Sequence, residues 1–236
     1  MKSWIEYWNS DHPIYVNARH LMLHYRGIAR DISDLIPEPD AVVLDFGCGE
    51  ALSADLITNR CKKLLLVDSA PSIREKLTAR FAENRAIHVL SPEEAKALAA
   101  ESLDLVIVHS VAQYVAKNDF AALVGELAEK LKPGGSLILG DILPNGLSAV
   151  TDAKALLAFG FEGGFLMPAL AGLVRTALSD YRKIRGELGL THYDEAEMLA
   201  LLDKAGLTAR RLDKNLGHNQ ARMAFAAVKF KAEIEA

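Results

Sequence analysis

Cysteine is nearly absent from this chain. Cys48 and Cys61 are the two in 236 residues, so neither a disulfide framework nor a C-x-x-C pair exists. That usage fits a reducing compartment, and the cytoplasm is the expectation. Long apolar runs are missing too. The longest uncharged apolar stretch is Gly163 to Val174, twelve residues broken by Gly and Pro. A bilayer span needs ~20. The opening residues, Met1-Lys2-Ser3-Trp4-Ile5-Glu6-Tyr7-Trp8, lack the apolar core of a signal peptide. A basic excess is lacking as well, since the formal net charge is −4. Such a balance gives no obvious track for phosphates, and no nucleic-acid partner is expected. No repeat or low-complexity segment occurs.

What is present describes a folded globular chain, half hydrophobic and a quarter charged. Its length holds one domain, residues 1–236, with a sizeable core. Five short aliphatic runs read as buried strands: Val42–Phe46, Leu64–Val67, Ile87–Leu90, Leu105–Val108 and Ser136–Leu139. Helical spacing fills the gaps between them, over Ala51–Arg60, Pro71–Asn84, Glu93–Ala100 and Asp119–Leu131. Strand alternating with helix predicts a doubly wound α/β fold around a parallel sheet. Ser69 is placed to cap the helix that Pro71 opens. Asn118-Asp119 precedes the next helix, and Lys132-Pro133-Gly134-Gly135 ends it and turns into the fifth strand.

The flanks are helical. Residues 13–36 predict a helix before the first strand, inside an N-terminal cap of residues 1–40. Residues 143–193 predict a helical lid inserted after the fifth strand, with breaks at Gly163-Gly164 and Pro168. A helix over Asp194–Ala205 stops at Gly206. Strands over 207–215 and 221–230, with a short link at Leu216–Gln220, predict a terminal antiparallel hairpin.

The chemistry points to the turn after the first strand, Asp45-Phe46-Gly47-Cys48-Gly49-Glu50. Gly47 and Gly49 let a ligand approach the backbone in the crevice where open α/β sheets bind ligands. Asp68, at the end of the second strand, can accept hydrogen bonds from both hydroxyls of a ribose. Dinucleotides and adenosyl ligands share that ribose, and charge separates them. A pyrophosphate over this loop would meet Asp45 and Glu50, each repulsion costing about 4 kcal/mol at ~4 Å and an effective dielectric near 20. Leu52 stands where a dinucleotide loop has its third glycine. A cationic ligand without phosphate suits the loop better.

These residues resemble the motifs of the class I S-adenosylmethionine-dependent methyltransferases. Asp45-Phe46-Gly47-Cys48-Gly49 is similar to the family's first motif and Val67-Asp68 to its acidic second-strand end. Ser102-Leu103-Asp104-Leu105-Val106 is similar to the run into the fourth strand, and Leu131–Leu137 to the turn before the fifth. The resemblance covers about Val42 to Phe230. It implies a Rossmann-like seven-stranded sheet of order 3-2-1-4-5-7-6, the last strand antiparallel, with S-adenosylmethionine as cofactor. It implies that Asp45, Gly47 and Gly49 hold the methionine end and Asp68 the ribose, with Cys48 and Ser69 beside them. Ser91 stands where many members carry an acid that holds the adenine amino group. In many relatives a leading helix folds over the cofactor, which would bring Tyr15 or Arg19 to the methionine carboxylate or sulfonium.

The acceptor side is expected at the loop after the fourth strand, His109-Ser110-Val111-Ala112-Gln113-Tyr114. His109 is the candidate base and also a candidate contact to the methionine part. Gln113 and Tyr114 are candidates to orient a small-molecule acceptor, and so are His218 and Asn219 in the hairpin link. His20 and His24 share a helix face at i, i+4, but no third acidic ligand accompanies them, and no metal is expected. The apolar segments Ala155–Phe159 and Phe165–Leu170 offer either a pocket for a partly apolar acceptor or a homodimer surface. Arg175, Arg182, Lys183 and Arg185 could meet an acidic substrate group or form a solvated face. Nucleic-acid methylation is disfavoured, as no N/D-P-P-Y-like motif occurs. Two rival readings are a non-catalytic S-adenosylmethionine-binding or interaction module and a nicotinamide-dependent oxidoreductase.

Overall fold

A computed structural model describes residues 3–9, 15–177 and 188–230. Seven strands form one sheet: β1 Val42–Phe46, β2 Lys63–Val67, β3 Ile87–Leu90, β4 Leu103–His109, β5 Leu131–Ile142, β6 Leu207–Arg211 and β7 Met223–Lys229. Their order is β3-β2-β1-β4-β5-β7-β6, parallel except for β7, which runs antiparallel to both neighbours. The central strands carry Val, Leu and Ile on both faces, and Val43, Leu44, Leu64, Leu66, Leu105 and Val106 are fully buried. Strands so placed need helices on both sides of the sheet.

One face is covered by α2 (Ala18–Asp34), α3 (Ala54–Thr58) and α4 (Pro71–Arg80), through Ile28, Ile32, Ile57 and Leu77. The other is covered by α5 (Pro92–Lys96), α6 (Lys117–Lys130) and α9 (Glu195–Lys204), through Ala95, Phe120, Val124, Met198 and Leu202. A short α1 (Trp4–Trp8) precedes them, and α7 (Ala149–Glu162) and α8 (Leu166–Ala177) follow β5. These last two meet the start of the chain. Phe165 stacks on His20 at 5.1 Å, and the Arg19 guanidinium donates to the Gly163 carbonyl. No helix among the described residues is long and apolar enough to cross a membrane.

The structure corrects several local expectations. The helix expected over 13–36 starts at Ala18, where the Asn17 side chain accepts from the His20 amide. Ser69 is not the cap of α4. Ala70 holds that place, and its amide donates to Asp68 at 2.8 Å instead. The helix expected over 93–100 ends at Lys96, and α6 starts at Lys117, ahead of Asn118. Lys132–Gly135 is not a free turn. Leu131 pairs with Leu103 and Ser136 with Leu105, so four residues bulge against Asp104 alone. Pro168 does not break α8, because it lies in the first turn, where no amide donor is needed. The expected short hairpin link is longer, because β6 ends at Arg211 and β7 begins at Met223. Arg182, Lys183 and Arg185 lie outside the described residues.

Candidate active site

The carboxyl ends of β1, β2, β4 and β5 meet along one edge of the sheet. Antiparallel β7 begins at the same edge, with Met223 opposite Ile142. A cavity of about 990 Å³ opens there.

Its first wall is the turn after β1. Gly47 and Gly49 take φ of 80° and 56°, in the left-handed region that costs other residues about 1–2 kcal/mol. Space adds a second reason for glycine. A Cβ on Gly47 would collide with Val111, and one on Gly49 would stand 2.5 Å from the Tyr25 hydroxyl. The amides of Gly47 and Cys48 donate to the Val67 carbonyl at 2.8 and 3.1 Å, which bends the turn toward β2. Asp68 fixes the bend, accepting from Gly49 at 3.0 Å and from Ala70 at 2.8 Å. From α2, the Tyr25 hydroxyl accepts from the Glu50 amide at 2.9 Å.

Two carboxylates meet at this turn. Asp45 is buried, and its carboxyl accepts no hydrogen bond among the described residues. Burial first, and the nearby Asp68 second, push it up to about 7. Burial also raises Asp68, and the Ala70 and Gly49 amides and Arg74 pull it back. Burial pushes Tyr15 up to about 12, so its phenol stays protonated.

The second wall joins the ends of β4 and β5 to the segment before β7. Asp141 follows Gly140 on β5, and its Oδ2 accepts from Ser110 at 2.5 Å and from Arg222 at 2.7 Å. Arg222 also donates to both oxygens of Asp152 at 3.2 Å. Asn215 accepts from the Asp141 amide at 2.8 Å, tying the link before β7 to β5. Burial pushes Asp141 up, but Arg222, His109 and Ser110 together hold it below its ordinary value. The imidazoles nearby are neutral. Burial pushes His20 down to about 4 and His24 to about 3, and it lowers His109 and His218 as well.

The sequence-predicted residues divide by place. Tyr15, Asp45, Gly47, Cys48, Gly49, Asp68, Ser69, His109, Gln113, Tyr114 and His218 all line this one cavity. Three others do not. Ser91 caps α5, accepting from the Glu94 amide in a capping box with the Glu94 carboxylate. Arg19 is turned to the Gly163 carbonyl. Asn219 supports the second wall from behind, donating to Asp152 at 2.9 Å. Burial raises the Cys48 thiol well above its ordinary value, which suits a packing role and not a nucleophile. Among the described residues, no three His, Cys, Asp or Glu side chains gather as metal ligands would.

Sequence reasoning missed Asp141, Arg222 and Tyr25. Asp141 left a usable signal, a carboxylate at the end of the buried run Leu137-Ile138-Leu139 on the ligand edge. Arg222 left none, because its partners lie 81 and 70 residues away.

Comparisons with known proteins agree with this geometry. Residues 44–139 match the family model described as a methyltransferase domain. The chain is 33% identical over 104 residues to an uncharacterized methyltransferase, YodH, of Bacillus subtilis, covering 43% of each chain. The matched segments span 43 to 53% of the lengths of the curated relatives. Among solved structures, the N-methyltransferase NodS of Bradyrhizobium japonicum, in complex with S-adenosylhomocysteine, is 16% identical with a TM-score of 0.59 and 97% of both chains covered. The magnesium protoporphyrin IX methyltransferase of Synechocystis is 17% identical with a TM-score of 0.59, over 94% of this chain and 91% of that one. At these identities the structural likeness carries the fold.

Proposed function

We propose that this chain, whose residues 44–139 match a methyltransferase domain, is a class I S-adenosylmethionine-dependent methyltransferase that binds S-adenosylmethionine at the Gly47–Gly49 turn and methylates a small-molecule acceptor. The observation that carries this reading is the junction of that turn with Asp68. Each Asp68 oxygen accepts one amide, from Ala70 or from Gly49, and keeps a further lone pair for a ribose hydroxyl. The glycines leave room that a Cβ would fill. Asp45, buried without a partner, suits a nearby cation. When bound, the cofactor supplies a methyl group already activated on a sulfonium.

The protein's own work is alignment and exclusion of water. Gly47 and Gly49 hold the methionine end, Asp68 the ribose, and Cys48 and Ser69 pack alongside. Tyr15 meets the same cavity as an uncharged phenol. His109, Gln113, Tyr114 and His218 face the acceptor. His109 is then a neutral base or a hydrogen-bonding group. Arg19 and Asn219 act at one remove, Arg19 by tying α2 to the end of α7 and Asn219 by bracing Asp152. We read one domain, in which α1 and α2 and, through Leu156, α7 line the site. The NodS and protoporphyrin methyltransferase structures make small acceptors a natural class.

Calorimetry with S-adenosylmethionine and S-adenosylhomocysteine tests binding. A metabolite extract with methyl-labelled cofactor, read by mass spectrometry for a +CH₂ product, tests transfer. Absence of binding would overturn the reading.

A further inference from the structure

The second wall of the cavity leaves polar atoms for a ligand to meet, the acceptors of Asp141 and Gln113 together with Arg222 Nε and His109 Nδ1. Asp141 is 9% exposed, and its Oδ2 carries the bonds from Ser110 and Arg222 and a longer one, 3.5 Å, from Gln113 Nε2. Its Oδ1 accepts nothing among the described residues. Gln113, 3% exposed in the same wall, has its amide oxygen buried without a partner. A buried acceptor left unmatched is costly, so Gln113 Oε1, beside the open Asp141 Oδ1, is fitted to a donor arriving with a ligand.

Charge points the same way. Five carboxylates line the cavity, Asp45, Glu50 and Asp68 at the cofactor turn and Asp119 and Asp141 away from it, against two cations, Lys76 and Arg222. Arg222 is committed to Asp141 and Asp152 at once, so that trio nets one negative charge. A cleft lined by one sign of charge concentrates the opposite ion. The lining also carries an aromatic cluster, with Tyr114 centred 4.7 Å from Trp4 and 5.3 Å from Trp8. Aromatic faces attract cations and reject anions.

We propose that the acceptor pocket is built for an amine, whose N–H groups are taken by Asp141 Oδ1 and Gln113 Oε1 while its apolar body lies against the Trp4–Trp8–Tyr114 cluster. This deepens the methyltransferase reading and rests on it. The strained backbone at Asp141, φ 63°, serves to turn the carboxylate toward the pocket. A carboxylate or phosphate acceptor would meet Asp141, whose neighbouring cation Arg222 is already shared with Asp152.

The test is binding, not turnover. Phenethylamine, 2-phenylethanol and phenylacetate share a body and differ in charge. Their affinities for the full chain are measured by ligand-observed NMR, with and without S-adenosylhomocysteine. The amine should bind at least tenfold more tightly than the acid, with the alcohol between. Asp141→Asn should lower amine affinity at least tenfold and leave S-adenosylhomocysteine affinity within twofold. The proposal is overturned if phenylacetate binds as well as the amine, if no amine binds, or if folded Asp141→Asn binds the amine unchanged. Should that variant not fold, the contrast between amine and acid on the unaltered chain decides. Failure of S-adenosylhomocysteine to bind would overturn the cofactor reading instead, and the comparison of the three probes alone would still report on the pocket.

Discussion

Ser110 and Asp141 stand at the ends of neighbouring strands, both in left-handed backbone (φ 58° and 63°), and bond to each other through their side chains at 2.5 Å. Neither is glycine, so each conformation costs of order 1–3 kcal/mol and is held by its surroundings. The amide of Ser110 also donates to the Gly140 carbonyl at 3.2 Å, and Asn215 accepts from the Asp141 amide. Both of these strained residues line the cavity.

Asp68→Ala should weaken S-adenosylhomocysteine binding by about 1.5–3 kcal/mol, the range for hydrogen bonds to a charged group. It also removes the acceptor of two loop amides, from Gly49 and Ala70. Asp68→Asn should fall between. Calorimetry reads both, and unchanged affinity would remove Asp68 from the site.

Burial and the nearby Asp68 push Asp45 up to about 7 in the ligand-free chain, so the carboxyl holds its proton well above the ordinary carboxylate range. A bound cation favours the carboxylate. Cofactor binding should therefore release a proton and tighten as pH rises through 7. Calorimetry in buffers of different ionisation enthalpy should show the release, and Asp45→Asn should abolish it. The sign for stability is opposite. A carboxyl whose folded pKa is raised loses stability for the fold as pH climbs from its unfolded value to about 7. Asp45→Asn should then raise Tm without ligand at about pH 8 more than at about pH 5.

Gly49→Ala should destabilise by about 1–3 kcal/mol, from left-handed strain and the approach to Tyr25. For a chain of this size each kcal/mol corresponds to roughly 2–4 °C in Tm. Tyr25→Phe removes the atom in the way. In the double variant the two losses should sum to less than the single ones, which a thermal-melt double-mutant cycle measures.

Arg222→Ala leaves Asp141 and Asp152 facing each other without their shared cation. The three side chains are 12 to 20% exposed. Breaking one partner from such a buried set costs about 3–5 kcal/mol. Urea unfolding should show a loss of this size, smaller at low pH, where the carboxylates are neutral.

Most of the sheet was legible because its signals are local. Val42–Phe46 and Leu105–Val108 are buried on both faces, and a short aliphatic run between turns reads as nothing else. The glycine turn and Asp68 were legible for the same reason, since twenty-odd residues hold the whole motif. The second wall was not. Asp141, Ser110, Arg222 and Asp152 come from four elements, and their charges matter through one another, which spacing cannot reveal. Ser91 misled because one hydroxyl serves equally as a cap or a ligand group. The Glu94 carboxylate three residues on settles it, a pairing present in the sequence as a capping box. Ser69 misled in the opposite sense, because α4 starts one residue later, with Ala70 at its cap and no side chain capping it.

The reversal of β7 sets where this protein can diversify. Because its first residue lands beside the last residues of the parallel strands, the segment between Leu212 and Arg222 hangs over the rim without carrying any of the sheet's pairing. Grafting a different segment there, with Asn215 and Leu216 kept because they bind β5 and the core, would change what the pocket admits while the strands beneath keep their partners. A family of such exchanges would be a direct route to new acceptors on an unaltered frame.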